Sequence, residues 1–168
     1  DGTIPWGPDH HDAFRQRFDH VASIGVVGED LPEEHNCVTL DPTLTDTDGI
    51  PAPKIHYTLS ENSERMLEHA VARATEVLEA AGAHDVWVES PLTYGGWHLM
   101  GTARMGTDPK RSVVNEFGRA HDCHNLFIVD GSIFVTSAGV NPTNTIQALA
   151  LYVADQIKTR LSDATLFD

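Results

Sequence analysis

Residues 54–82 read KIHYTLSENSERMLEHAVARATEVLEAAG, and the period of the apolar positions changes inside this stretch. Ile55, Tyr57 and Leu59 alternate with Lys54, His56 and Thr58, which is the two-residue period of a half-buried strand. Beyond Ser60 the spacing becomes three and four. Met66 or Leu67, Ala70, Val71, Ala74, Val77, Leu78 and Ala81 fall on one stripe, so the spacing predicts an amphipathic helix over Glu61–Ala81. Ser60 suits its N-cap, Glu61 and Glu64 suit the positive end of the helix dipole, and Gly82 suits the stop.

Working outward, Val21–Val27 and Cys37–Leu40 look extended, and Asp46–Pro51 (DTDGIP) reads as a turn. Val86–Val88 suits a short strand. Pro91–Gly106 is loop-like, with glycines at 95, 96, 101 and 106. Asn125–Val129 (NLFIV) is a compact apolar run of the kind buried on both faces of a parallel sheet. Asp130-Gly131 ends it. Asn141 as N-cap and Pro142 at the first position would then open a helix. Its stripe is Ile146, Leu149, Ala150, Val153, Ile157 and Leu161, and the tail beyond Leu161 is expected to fray.

The 168 residues are enough for one or two domains with a core. Lysine and arginine number 11 against 25 aspartates and glutamates, a net charge of −14. Affinity for the phosphate backbone of nucleic acids comes from cations that release counterions, so a nucleic-acid partner is not expected. Anionic membrane surfaces are disfavoured for the same reason, and no apolar run is long enough to span a bilayer. Cys37 and Cys123 do not make a disulfide scaffold. The N-terminus has neither the basic nor the apolar region of a signal peptide, and it lacks an initiator methionine. It is therefore expected to be a processed product or a piece of a longer chain, and a soluble, cytoplasmic protein is the favoured reading.

Two segments could carry chemistry. In Gly95–Gly106, GGWHLMGTARMG, His98 sits among glycines that let the backbone approach a ligand closely, and imidazole is suited to proton transfer near neutral pH. On its own a histidine in such a loop is more often structural. In Phe127–Ala150, FIVDGSIFVTSAGVNPTNTIQALA, a strand, an Asp-Gly turn and a loop lead to a helix N-terminus. The unpaired N–H groups there suit an anion or a carbonyl gaining negative charge, and Asp130 could accept hydrogen bonds from ligand hydroxyls. Other patterns fail. His121, Cys123 and His124 have no second cluster at zinc-like spacing, so no metal is expected. His10-His11 reads as polar surface. Asp46-Thr47-Asp48-Gly49 lacks the rest of a calcium loop, with Leu at position 44. No nucleophile elbow, phosphate loop or dinucleotide fingerprint occurs.

Three motifs together carry a resemblance: His98-Leu99-Met100-Gly101-Thr102-Ala103-Arg104-Met105-Gly106, then Val129-Asp130-Gly131-Ser132, then Gly139-Val140-Asn141-Pro142-Thr143-Asn144-Thr145-Ile146. Their order and spacing over about Gly95–Ile157 resemble the C-terminal part of the glucose–methanol–choline (GMC) flavoprotein oxidoreductases, most of all the sugar and sugar-acid dehydrogenases and oxidases. The resemblance implies oxidation of an alcohol, with a sugar or polyol hydroxyl favoured, by hydride transfer to N5 of FAD. It implies that His98 is the active-site histidine that assists removal of the hydroxyl proton. Asn141 would be the second catalytic position, hydrogen-bonded to the substrate hydroxyl. Asp130 and Gly131 would contact FAD near its ribityl and pyrophosphate. The backbone of Asn141, Pro142 and Thr143 would meet the pyrimidine edge of the isoalloxazine.

One departure from that family is the missing N-terminal dinucleotide-binding unit, whose glycines cradle the FAD pyrophosphate. The expected fold is α+β. Residues 1–94 would be part of a substrate-binding domain, an antiparallel sheet backed by the helix over Glu61–Ala81. Residues 95–168 would hold the histidine loop and the C-terminal strand and helix that complete an FAD-binding α/β domain. The expected partners are the N-terminal FAD-binding portion of the same enzyme and a small alcohol or sugar. The alternative is a non-catalytic domain or subunit of the same descent that binds a separate flavin-binding chain. Retention of both His98 and Asn141 argues against a domain without chemistry.

Overall fold

The computed structural model describes residues 4, 6–92 and 95–162. Its elements are α1 (His10–Arg17), β1 (Cys37–Thr45), β2 (Pro51–His56), α2 (Glu61–Ala80), a 3₁₀ turn over Gly131–Ile133, and α3 (Thr143–Ser162). This is an α+β chain. It divides into two compact units: residues 1–28 with 61–95, and residues 29–60 with 96–168.

In the first unit α2 follows its sequence pattern closely. Met66, Leu67, Ala70, Val71, Ala74 and Leu78 are half-buried along one stripe, whereas Val77 is exposed. The helix ends as Gly82 dictates. Gly82 takes φ +97°, its N–H donates to Glu79 O at 2.9 Å, and Ala83 N–H donates to Leu78 O at 3.0 Å. That pair of bonds is a Schellman stop, which satisfies the last carbonyls of the helix. The helix α1 has no counterpart among the sequence expectations. Its residues, HHDAFRQR, make no apolar stripe and none is buried. It is held instead by neighbours four apart, with Trp6 stacked on His10 at 4.6 Å and Phe14 against Phe18 at 5.4 Å. Arg17 lies 5.6 Å from the Trp87 ring centre. Neither Val21–Val27 nor Val86–Val88 forms a strand. Both runs have strand-like composition, but among the described residues neither finds a pairing partner.

In the second unit β1 and β2 pair antiparallel, Cys37 opposite His56 and Leu40 opposite Pro53, with a bulge between Leu40 and Thr45. The turn falls where expected. Asp46 Oδ1 accepts from the N–H groups of Asp48 and Ile50, each at 2.9 Å, and Gly49 takes φ +81°. The second strand starts earlier than the alternation over Lys54–Leu59 suggests and stops at His56. Pro51 and Pro53 disguise it, because proline is tolerated in a strand only at an edge or a bulge. Asp41 fills the bulge; its carboxylate accepts from the N–H groups of Leu44 and Thr43 and from the Thr43 hydroxyl, which hold it below the usual carboxylate range.

The core of this unit is formed by Val114, Ala120 and Ile133, flanked by Met105, Ile128, Phe134 and Leu149. The stripe of α3 joins it as expected. Val153 is fully buried, and Ile146, Leu149, Ala150 and Ile157 are half-buried, but Leu161 is exposed. The expected strand over Asn125–Val129 is not a strand buried on both faces. It makes one isolated antiparallel bridge, Phe127 to Arg119, and leaves Leu126 and Val129 exposed. No parallel neighbour for it lies among the described residues. The tail beyond Ser162 lies outside the described residues.

Candidate active site

The three sequence motifs all fall in the second unit, and backbone bonds join the first two. Gly101 N–H donates to Gly131 O at 3.3 Å, Ala103 N–H to Ser132 O at 2.8 Å, and Met105 N–H to Ile133 O at 2.8 Å. This ladder fixes the loop that carries His98 against the Asp130-Gly131 turn. Gly131 is buried between the other two motifs. A Cβ there would lie 3.2 Å from Ile146 Cδ1 of α3 and 3.3 Å from Met100 Cγ. A larger residue there would require Ile146 and Met100 to give way by a few tenths of an ångström.

Asp130 caps the 3₁₀ turn. Its carboxylate accepts from Ser132 N–H at 2.8 Å and stays exposed. The Ser132 hydroxyl and N–H hold it below the usual carboxylate range, so it is an ionised acceptor at neutral pH.

His98 and Asn141 come together across 43 positions of sequence, with Asn141 Nδ2 3.4 Å from His98 Nε2. Both side chains are exposed. The sequence pattern makes Asn141 the N-cap of α3, and here the structure differs. The first helical bond is Ile146 N–H to Pro142 O at 2.9 Å, and the helix begins at Thr143. Pro142 therefore occupies the capping position and the Asn141 amide turns to the histidine. The first turn of α3 holds no acidic residue, and Thr143, Asn144 and Thr145 are exposed. Trp97, Leu99 and Val140, the neighbours of the pair, are each more than 70% exposed.

Of the metal-capable cluster His121, Cys123 and His124, the first two have protein partners. His121 Nε2 lies 3.0 Å from Ser112 Oγ and 3.1 Å from Gly106 O, and Cys123 Sγ lies 3.3 Å from Asn125 Oδ1. The sequence reading missed two ties of this unit. Thr136 Oγ1 donates to Glu29 at 3.0 Å across 107 positions, and Arg104 Nε donates to Arg111 O at 2.6 Å. No spacing in the sequence signals the first. The second was foreshadowed only by two arginines seven residues apart.

A family model described as GMC oxidoreductase matches residues 32–150. The chain is 43% identical over 164 residues to 2-methyl-1,2-propanediol dehydrogenase of Mycolicibacterium austroafricanum, covering 96% of this chain and 29% of that protein. It is 39% identical over 153 residues to 6'''-hydroxyparomomycin C oxidase of Streptomyces lividus, covering 90% and 27%. It is 33% identical over 144 residues to the fructose dehydrogenase large subunit of Gluconobacter japonicus, covering 86% and 26%. The chain thus spans less than a third of the length of these curated relatives. Its fold is similar to the crystal structure of pyridoxine 4-oxidase from Mesorbium loti, with a TM-score of 0.53 at 21% identity over 77% of this chain and 28% of the other.

Proposed function

Because the chain belongs to the GMC oxidoreductase family, we propose that the protein oxidises an alcohol, a sugar or polyol hydroxyl, to a carbonyl with FAD as cofactor and with His98 and Asn141 at the reacting carbon. The observation that carries this reading is the approach of Asn141 Nδ2 to His98 Nε2 at 3.4 Å. Two polar side chains from distant motifs, both open to a ligand, form a pair with one proton acceptor and one hydrogen-bond donor.

The residues present fit a flavin. The start of α3 exposes N–H groups with no carboxylate in its first turn, in a chain that has 25 acidic residues to place. A helix end of this kind stabilises negative charge that develops on a ligand during the reaction. Thr143 supplies backbone N–H there, and Pro142 fixes the chain direction without wasting a donor. The Asp130 carboxylate suits the hydroxyls of the ribityl chain, with Gly131 holding its turn close. When bound, FAD supplies the hydride acceptor.

His98 Nε2 would accept the proton from the hydroxyl oxygen as hydride leaves the carbon that bears that hydroxyl. The Asn141 amide N–H donates to the substrate oxygen and, while no substrate is bound, to Nε2, which keeps that nitrogen an acceptor. The exposed Trp97, Leu99 and Val140 supply apolar surface that excludes water when covered. A sugar or polyol substrate is supported by the relatives, whose names carry a propanediol, fructose and an aminoglycoside. The division into a substrate-binding part before residue 95 and a flavin-completing part after it belongs to this reading, as does an N-terminal FAD-binding portion that completes the enzyme.

The test is stopped-flow reduction of the flavin in the full-length enzyme. General acid–base catalysis contributes a factor of about 10² to 10⁴, so His98→Ala slows reduction by roughly that factor while the flavin spectrum persists. Reduction at the wild-type rate in a flavin-loaded His98→Ala enzyme would remove His98 from the mechanism.

A further inference from the structure

Arg104, Lys110 and Arg111 line one cleft of about 270 Å³, whose wall also includes Thr102 and Ser112. We propose that this cleft is a binding site for a phosphate group. The chain has 11 lysines and arginines against 25 acidic residues, yet three of those cations gather here within the span 104–111. Among the described residues no carboxylate forms an ion pair with Arg104, Lys110 or Arg111, unlike Arg15 with Asp12 and Arg73 with Glu76. Asp108, the acid between them in sequence, is turned to the backbone and accepts from Lys110 N–H at 3.0 Å.

The cleft is framed before any ligand arrives. Val113 N–H donates to Arg104 O at 2.9 Å, Arg104 Nε to Arg111 O at 2.6 Å, and Ser112 Oγ to Asp108 O at 2.7 Å. The bond from Nε fixes the plane of the Arg104 guanidinium and leaves its terminal nitrogens for a bidentate oxyanion. Lys110 and Arg111 add two further positive donors, and the Thr102 hydroxyl adds a neutral one. Three cations match the three outward oxygens and near-double charge of a phosphate monoester better than a single carboxylate. None of the residues proposed above for flavin contact lines this cleft. Inorganic phosphate and a phosphorylated small molecule share this chemistry.

The experiment is isothermal titration of the full-length protein, as isolated, with inorganic phosphate and with glycerol 2-phosphate at physiological ionic strength. Saturable binding is expected, weakened about tenfold or more in Lys110→Gln/Arg111→Gln, since each charge-assisted bond lost costs a substantial factor. If that double variant does not fold, the exposed Lys110→Gln alone carries the test, with an expected loss of about fivefold. Tighter binding of glycerol 2-phosphate supports an organic phosphate ester as the ligand; equal binding supports free phosphate. No saturable heat with either probe, or an affinity unchanged in the neutralised variant, overturns the proposal. The readout is binding heat, so a failure of the flavin reading would leave this result standing.

Discussion

Tyr57 illustrates how much one side chain's surroundings decide. Its hydroxyl donates to Asp30 at 2.5 Å, and its pKa is pushed from 10.0 up to about 12, first by burial, then by that hydrogen bond, then by the Asp30 charge. A phenol whose folded pKa is raised favours folding while it is protonated. Its contribution is therefore complete below pH 10 and is lost as the pH rises toward about 12. Tyr57→Phe is expected to flatten the fall in stability over that window, measured by denaturant midpoints at successive pH values. An ultraviolet titration should also lose a phenolate step near pH 12; a step lost near 10 instead would show that the Asp30 contact does not govern this group. Little of this was legible in the sequence. Alternation placed Tyr57 on a strand, but β2 stops at His56, and Asp30 lies 27 positions upstream with no motif between them. His98 and Asn141 are the contrary case. Glycines mark His98 locally, whereas Asn141 reads locally only as a helix cap and becomes a candidate through the resemblance to the GMC family. Their 3.4 Å approach was not legible, because it depends on the ladder from Gly101–Met105 to Gly131–Ile133 and on Pro142, rather than Asn141, taking the cap.

Helix signals were the most readable elements because they are local. The stripe of α2, its start at Glu61 and its stop at Gly82 all follow from residues within a few turns of each other. Gly82 tests this directly. A Cβ there would meet nothing within 4 Å, so the only penalty of Gly82→Ala is the positive φ of +97°. The expected loss is about 1 kcal/mol, seen as a lower denaturant midpoint with an unchanged slope. No loss would mean that the left-handed conformation at this position carries no penalty for a residue with a Cβ. Strands were read less well, for a physical reason. A strand is defined by its partner, and composition cannot show whether a partner is present. Val21–Val27, Val86–Val88 and Asn125–Val129 have the apolar, β-branched content of strands but no ladder among the described residues. β2 has a ladder despite two prolines, because Pro51 and Pro53 sit where a missing N–H is tolerated. The polar helix α1 escaped notice because it has no apolar stripe to read.

At the scale of the whole molecule, the second unit buries few large side chains and exposes many. Val114, Ile133 and Val153 are fully buried, but Leu40 and Ile55 of the β1–β2 hairpin are 68% and 71% exposed. A two-stranded hairpin with apolar residues open to water is marginal by itself. Apolar surface of this kind marks a face that another part of a protein covers. The relatives are more than three times as long as the segment matched, and the proposed N-terminal FAD-binding portion is the natural cover. The proposed flavin contacts lead to the same place. Asp130, Gly131 and the start of α3 supply one side of a cofactor site, but none of them supplies the glycine-rich cradle that a pyrophosphate needs. The chain expressed alone is therefore expected to bind a hydrophobic dye strongly, to unfold without a sharp transition, and to remain colourless after incubation with FAD. Joined to the N-terminal portion, the same residues should lose dye binding and gain flavin absorbance together, since covering the apolar faces and closing the cofactor site are one event. Absorbance spectra beside intact mass and a dye titration on both proteins would check this. Sharp, dye-free unfolding of the isolated chain would mean that its exposed apolar residues are ordinary surface and that the two events are separate.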